Sequence, residues 1–146
     1  MDVPALVPEP EVLRPLWDAL AAVDQVICSP LIRARQTAAA LFPDHVPIRN
    51  AALVEQDFGS WEDRPYADCP MPEGLDAAAI AGFAAPGGES FATVCDRVAD
   101  AITGILRNHS GETVAIVAHA GVIRAALVHA LGAPAASGIA FQVAPL

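Results

Sequence analysis

The chain has 146 residues, of which 54% are hydrophobic, and its formal net charge is −9. This length and apolar content suit one compact domain over residues 1–146 and leave little room for a second. The acidic balance argues against a nucleic-acid surface, which would need a basic stripe to meet phosphates. No apolar run approaches the roughly 18 to 20 residues of a membrane span, and the first 20 residues lack the features of a secretory signal. We therefore expect a cytoplasmic protein with neither nucleic-acid nor membrane partners.

The basic residues and the cysteines narrow the chemistry further. All eight basic residues are arginines, and a guanidinium is a planar, permanently charged fork that binds phosphate or carboxylate. A few arginines can therefore form a local anion site even in an acidic protein. Cys28, Cys69 and Cys95 are odd in number and lack paired short spacings, which disfavours a disulfide framework and a zinc site. We expect neither a metal nor a cofactor.

The first third of the chain predicts a helix, a strand and a second helix. Apolar residues recur at helical spacing over residues 11–23, and residues 24–28 form a short apolar run. Ser29 and Pro30 then predict a serine N-cap followed by proline at the first helical position. This second helix would run to Leu41, with Arg33 near its open N–H groups.

The middle of the chain predicts an edge strand over residues 46–48, because Pro47 cannot donate to a sheet, and then an acidic segment around Glu55. A carboxylate near a phosphate site can act as a general acid once burial or negative charge raises its pKa. The alternative interpretation is that each carboxylate of this segment simply belongs to an acidic protein surface. Residues 64–85 have weak periodicity and predict an excursion that covers a cleft. Ser90 is then predicted to be the N-cap of a long helix.

Residues 112–131 predict a strand that turns directly into a helix. Residues 113–118 are a nearly continuous apolar run, typical of a strand buried on both faces. His119 follows at the strand end. After Gly121 the spacing is helical, and this helix is predicted to end at Gly132 and Pro134. Its broad apolar stripe consists of Val122, Ile123, Ala126, Leu127, Ala130 and Leu131. Residues 139–143 predict a final strand.

The two strand-to-helix junctions point to one anion site. Ligands bind at the carboxyl ends of parallel strands, and the following helices open with unpaired N–H groups. Taken alone, His119 would be interpreted as a packed histidine at a helix start, and Arg33 and Arg35 as a solvated helix face. Two such junctions together favour a shared phosphate-binding cleft that contains Ser29, Arg33 and His119.

Four segments in the order of the chain resemble the histidine phosphatase superfamily, also called phosphoglycerate-mutase-like. They are Ser29-Pro-Leu-Ile-Arg-Ala-Arg-Gln-Thr-Ala38, Glu55-Gln-Asp-Phe-Gly-Ser-Trp-Glu62, Gly87-Gly-Glu-Ser90 and His119-Ala-Gly-Val-Ile-Arg124. The amino-acid sequence of the second segment resembles that of the small bacterial branch that contains the alpha-ribazole phosphatase of cobalamin assembly.

The resemblance implies an α/β fold, a three-layer α/β/α sandwich with a mainly parallel sheet. It also implies hydrolysis of a small phosphorylated metabolite through a phosphohistidine. In that chemistry Glu55 is the catalytic proton donor, His119 stabilises the phosphoryl group, and Ser29 and Arg33 bind phosphate with it. These roles agree with general catalytic principles, because cations stabilise a charged transition state and an acid protonates the departing alkoxide.

The Arg-His-Gly motif that supplies the family's nucleophilic histidine does not occur in the sequence. We therefore expect a domain truncated at its N-terminus, possibly also at its C-terminus, and a sheet that lacks the first central strand. His45, His109 and His129 lack the context of a nucleophile. Three hypotheses stay open: a phosphatase that has lost its start, a non-catalytic phospholigand-binding pseudoenzyme, and an inactive fragment. The substrate and the oligomeric state are not predicted.

Overall fold

The computed structural model describes residues 2–144, which form a small parallel sheet with helices on both faces. The strands are β1 Gln25–Cys28, β2 Ile48–Arg49 and β3 Val114–Val117. The helices are α1 Pro10–Ala19, α2 Ile32–Leu41, α3 Ala77–Gly82, α4 Phe91–Asn108, α5 Ala120–Leu131 and α6 Ala135–Gly138. Short 3-10 turns cover Ala51–Leu53, Gly59–Trp61 and Tyr66–Asp68. The strand order is β2-β1-β3, and both pairings are parallel.

The sheet separates two apolar clusters. Successive side chains of a strand point to opposite faces, so Val26 and Cys28 join the cluster under α1 and α2. Ile27 joins the other cluster, which α4 and α5 supply. The predicted three-layer α/β/α fold is confirmed.

The helix boundaries follow local signals at several points. Ser90 caps α4 as predicted, because its Oγ accepts a hydrogen bond of 3.1 Å from the Thr93 N–H. Gly132 ends α5 with φ 59°, a left-handed conformation that favours glycine. The predicted edge strand is confirmed as β2, which begins two residues later and ends one residue later than predicted.

β3 does not have the burial that the sequence predicts. All four of its residues are only half-buried, whereas Val26, Ile27 and Cys28 of β1 are at most 3% exposed. Within residues 2–144, β3 pairs with β1 alone and its other edge has no neighbouring strand. The prediction of a strand buried on both faces was therefore wrong for β3.

The apolar stripe predicted for α5 is only partly correct, because Val122 is buried as predicted and Ala126 packs against the core, whereas Ile123, Leu127 and Leu131 are exposed. Val122, Ala125 and Val128 face the core, while Leu127 is 42% and Leu131 67% exposed. The reason is that α5 is apolar on nearly all sides, so the helical period alone does not fix which side packs.

Two further predictions were wrong. Ser29 is not a helix N-cap, because α2 begins at Ile32 and its N-cap is Leu31; Ser29 instead stays at the end of β1. The final strand over residues 139–143 does not form: α6 is followed by a turn at residues 139–140, and residues 141–144 have no regular secondary structure. Gly138 of α6 packs closely against the Phe91 ring.

Among the described residues, no helix has the length and apolar character needed to cross a membrane.

Candidate active site

Ser29, Arg33 and His119 form one hydrogen-bonded cluster at the carboxyl ends of β1 and β3. His119 Nε2 lies 2.8 Å from Ser29 Oγ, and Arg33 Nε donates to His119 Nδ1 at 3.2 Å. Parallel pairing of β1 with β3 places Cys28 opposite Val117, which brings both strand ends to the same edge. The structure thus brings together all three residues that the sequence predicted for phosphate binding.

The contacts of His119 fix its protonation state. Because Arg33 Nε is always a donor, Nδ1 accepts and the ring proton of the neutral imidazole resides on Nε2, which donates to Ser29. His119 is only 7% exposed. Burial, followed by the positive charges of Arg33 and Arg97, lowers the pKa of His119 to about 4. The imidazole is therefore neutral at pH 7 and is a hydrogen-bond donor through Nε2.

A carboxylate occupies the start of α2 beside this cluster. Asp2 Oδ1 accepts a hydrogen bond of 2.6 Å from the Ile32 N–H, one of the N–H groups that a helix start leaves unpaired. The negative charge of Asp2 opposes the lowering of the His119 pKa, so the two groups are close enough to interact. The first turn of α2 therefore accepts an anion next to Arg33 and His119.

Glu55 reaches the same region from a loop. Its Oε1 accepts from the Gln56 N–H at 2.9 Å, and its Oε2 accepts from the Gly121 N–H, at the start of α5, at 3.4 Å. A Cβ on residue 121 would lie 2.5 Å from Glu55 Oε1. Gly121 therefore leaves the space that the Glu55 carboxyl occupies, two residues after His119.

Arg97 of α4 holds the backbone of the Glu55 loop. Its guanidinium donates to Ala52 O at 2.7 Å and to Glu55 O at 3.4 Å. It also forms a two-point ion pair with Glu89, at 2.7 and 3.1 Å. Glu89 in turn accepts the Asp57 N–H at 3.1 Å. Sequence analysis missed this support, because its members are far apart in the chain and only their three-dimensional contacts relate them.

Two glycines bring the Glu55 loop and the turn before α4 into backbone contact. A Cβ on Gly59 would lie 2.4 Å from both Gly88 N and Pro86 O. Hydrogen bonds from Ser60 N to Pro86 O, 3.0 Å, and from Glu89 N to Asp57 O, 2.9 Å, join the two segments. The segment Gly87-Gly-Glu-Ser90 was interpreted only as a turn, and the structure adds this docking role.

Two cavities share the wall formed by Glu55, Phe58, Trp61 and Met71. One, of about 450 Å³, is also lined by Arg33 and Arg64. The other, of about 390 Å³, is also lined by Gly121 and Arg124. Cys69 and Met71 belong to the predicted excursion, which does border the cleft. Within the described residues, His119 lines neither cavity and reaches the first one only through Arg33.

His45 and His109 make hydrogen bonds outside the cluster of Ser29, Arg33 and His119, and Cys28 and Cys95 are buried, whereas Cys69 lines the cavity that Arg33 also lines. His45 Nε2 lies 3.2 Å from Val23 O, and His109 Nδ1 lies 2.8 Å from a Glu112 carboxylate oxygen. Burial raises the pKa of the Cys28 and Cys95 thiols. Among residues 2–144, no group of three or more His, Cys, Asp or Glu side chains is arranged to hold a metal ion.

Comparisons with known proteins place this geometry in a family. The family model of the histidine phosphatase superfamily (branch 1) matches residues 13–146. Among solved structures, mycobacterial hydrolase 1 is similar at 25% identity and a TM-score of 0.77, over 91% of this chain and 67% of that chain. Bacillus stearothermophilus YhfR is similar at 26% identity and a TM-score of 0.76, over 91% and 69%.

A third structure, the alpha-ribazole phosphatase from Shigella flexneri, is 24% identical with a TM-score of 0.74, over 98% of this chain and 76% of that chain, and shows the shared fold alone. No match was found among curated proteins. Because the family model spans most of the sequence, as the resemblance predicted, the chain belongs to the histidine phosphatase superfamily.

Proposed function

We propose that this chain supplies the phosphoryl-binding and proton-donating parts of a phosphomonoester hydrolase. The observation that carries the proposal is the convergence of Ser29, Arg33 and His119 at two strand ends, with Glu55 on the wall of the cavity that Arg33 lines. In this arrangement the Arg33 guanidinium binds phosphoryl oxygens. In the proposed reaction a phosphoryl oxygen replaces Ser29 Oγ as the acceptor of the His119 Nε2–H, so that His119 donates to the developing charge while its ring stays neutral.

Glu55 serves both halves of the reaction. A histidine nitrogen attacks phosphorus, the bond from phosphorus to the ester oxygen breaks, and the Glu55 carboxyl protonates the departing alkoxide to an alcohol. Water then attacks the phosphohistidine, the Glu55 carboxylate takes its proton, and inorganic phosphate leaves with the histidine regenerated. The hydrogen bonds from Gly121 and Gln56 orient the Glu55 carboxyl for these transfers.

The attacking histidine is proposed to come from residues that are not in this sequence. The sequence contains no Arg-His-Gly, and His45 and His109 are engaged elsewhere. The proposed place for the strand that carries it is the edge of β3 that has no neighbouring strand within residues 2–144. A parallel strand on that edge would end beside His119, because parallel strands present their carboxyl ends together.

For the substrate of this hydrolysis we propose a phosphoester of the alpha-ribazole phosphate class. Two observations support it: the Phe58-Gly-Ser-Trp-Glu62 segment resembles that branch of the family, and the cavity beyond Glu55 is rich in aromatic side chains.

A second candidate is a non-catalytic phospholigand-binding protein. It is favoured by one observation, that Ser29, Arg33 and His119 are assembled while no histidine of the sequence has the context of a nucleophile. In this case Arg33 and His119 would bind a phosphoester without turnover.

The test is hydrolysis of p-nitrophenyl phosphate at mildly acidic pH by this chain and by a version extended with the residues encoded upstream. We expect only the extended protein to turn over and to trap a phosphohistidine, and Glu55→Gln in it to slow release of the alcohol by about 10²-fold or more. Stop codons directly upstream, or an extended protein that binds phosphate without turnover, would favour the second candidate. An inert protein without saturable phosphate binding would refute both.

A further inference from the structure

A further cavity, of about 480 Å³, is lined by α2 and by the segment that contains β2. Its α2 wall consists of Ile32, Arg35, Gln36 and Ala39, which have the i, i+3, i+4, i+7 spacing of one helix face. None of its lining residues lines either cavity beside Glu55. We call it the α2–β2 cavity, and it is separate from the candidate active site.

Two arginines converge on the α2–β2 cavity. Arg35 belongs to α2, and Arg49 ends β2, where it is the register partner of Cys28. Burial raises the pKa of the Cys28 thiol, and the charges of Arg35 and Arg49 partly oppose that rise. Because charge–charge interactions weaken with distance, both guanidinium groups lie near this one sulfur. Neither guanidinium has a hydrogen-bond or ion-pair partner among residues 2–144.

The charged and amide side chains of this wall offer donors to a ligand and no competing carboxylate. A guanidinium has five N–H donors and no acceptor. The Gln36 amide oxygen already accepts the Ala5 N–H at 2.7 Å, so its NH₂ group is the part that can bind a ligand. No Asp or Glu side chain lines the cavity, although the chain as a whole has a net charge of −9. Such a wall favours a ligand whose polar groups are negatively charged acceptors.

Apolar side chains form the rest of the wall. Ile32, Ala39, Val46 and Pro47 line the cavity, and Val46 is 90% exposed. A ligand with an apolar body removes such surface from water, which favours binding. Inorganic phosphate has no apolar part, so we expect it to bind here weakly.

We propose that the α2–β2 cavity is an accessory binding site for a small organic dianion, which carries two carboxylates or one phosphate on an apolar body. Arg35 and Arg49 each bind oxygens of the acidic groups through a guanidinium fork, and the Gln36 NH₂ group adds a donor. Val46 and Pro47 contact the apolar body. The site does not depend on the proposed function, because none of these groups takes part in the hydrolysis.

The test is an NMR titration of this chain that follows the Nε–H resonances of Arg35 and Arg49 and the side-chain NH₂ of Gln36. Isophthalate carries two carboxylates on a ring, benzoate carries one, isophthalamide is the neutral analogue, and phenyl phosphate is the phosphate ester. Inorganic phosphate is kept constant throughout, so that binding at Arg33 is the same in every titration. We expect saturable shifts with at least one dianion, about fivefold weaker binding of benzoate, and no shift with isophthalamide. A response to isophthalate alone assigns a dicarboxylate, and a response to phenyl phosphate alone assigns a phosphate ester.

Substitutions separate a site from general electrostatics. Arg35→Gln and Arg49→Gln are each expected to weaken binding of the preferred dianion about threefold or more. Both arginines are exposed, so we expect both variants to fold, and either one suffices for the test. Arg107→Gln, at an exposed arginine of α4, is the matched control and should stay within about twofold of wild type.

Three results would overturn the inference. They are the absence of saturable shifts at Arg35 and Arg49 with both dianions, binding of benzoate as tight as that of isophthalate and phenyl phosphate, and equal weakening in Arg107→Gln. A chain that fails to bind inorganic phosphate at Arg33 but shows the expected shifts would refute the proposed function and support the accessory site.

Discussion

Ser29, Arg33 and His119 lie at the ends of β1 and β3 and in the first turn of α2, whereas Glu55 lies in a loop without strand or α-helix. The first three are placed by the pairing of two parallel strands. Glu55 is placed by contacts from distant segments, among them Arg97, Glu89 and the close approach of Gly59 to Gly88. The position of the proposed phosphate site therefore depends on the fold as a whole, whereas the position of the proposed proton donor Glu55 depends on a few replaceable contacts.

The largest expected effect comes from disrupting the backbone contact under the Glu55 loop. In Gly88→Ala the new Cβ would lie 2.5 Å from Asp57 O and 2.9 Å from Gly59 N. Because neither backbone can move independently, we expect a loss of about 2 to 3 kcal/mol in the free energy of unfolding, measured by chemical denaturation. Gly104→Ala, inside α4 with open space around it, is the control and should stabilise by about 0.5 to 1 kcal/mol. Equal effects of the two substitutions would show that the loop is not docked as described.

Arg33→Ala tests the cluster formed by Ser29, Arg33 and His119. We expect inorganic phosphate to bind about 10- to 100-fold more weakly, because a charge-assisted contact is lost, with little change in the stability of the fold. The same substitution should raise the pKa of His119, since the charge of Arg33 contributes to lowering it. Arg35→Ala on the exposed side of α2 is the control and should leave phosphate affinity within about twofold. Equal losses in both variants would indicate general electrostatics instead of a site.

Arg97→Lys is expected to have a smaller effect. A lysine retains the charge but cannot form the two-point contact with Glu89 and also reach Ala52 O and Glu55 O. We expect a loss of about 1 kcal/mol in stability and a shift of the Gly121 amide resonance, which reports the Glu55 carboxyl. Arg107→Lys, exposed on the same helix, should change stability by less than about 0.5 kcal/mol. An unmoved Gly121 resonance in Arg97→Lys would mean that Glu55 is held without Arg97.

Sequence reasoning predicted that Ser29, Arg33 and His119 lie together, because strand ends and helix starts carry local signals. An apolar run predicted β1. Gly121 and the change from strand to helical spacing predicted where α5 starts, next to His119. The assignment of Ser29 to an N-cap failed because α2 begins only at Ile32, although Ser29 Oγ does accept a local hydrogen bond of 3.3 Å from the Leu31 N–H. The contact of Ser29 Oγ with His119, 90 positions away, is one that no local pattern encodes.

The other features that sequence reasoning missed share the same cause. The exposure of β3 depends on which strands flank it, and the burial of α5 depends on which of its several apolar sides meets α4. The roles of Arg97 and Gly88 appear only when segments more than 30 residues apart along the chain are brought into contact. The spacing of residues along the sequence does not encode those contacts.

The most direct test of the phosphate site is a pH titration of the His119 ring nitrogens by NMR, with and without inorganic phosphate. We predict that the His119 imidazole is neutral at pH 7 with its proton on Nε2, and that its pKa without phosphate is about 4. Because the folded chain resists protonation that the unfolded chain accepts, stability should fall as the pH drops from about 6.5 to 4, more steeply than in His119→Asn. Bound phosphate should raise the pKa of His119, since a neighbouring anion favours the charged ring. A pKa near 6.5 that phosphate leaves unchanged would contradict the assignment of Ser29, Arg33 and His119 as a phosphoryl site.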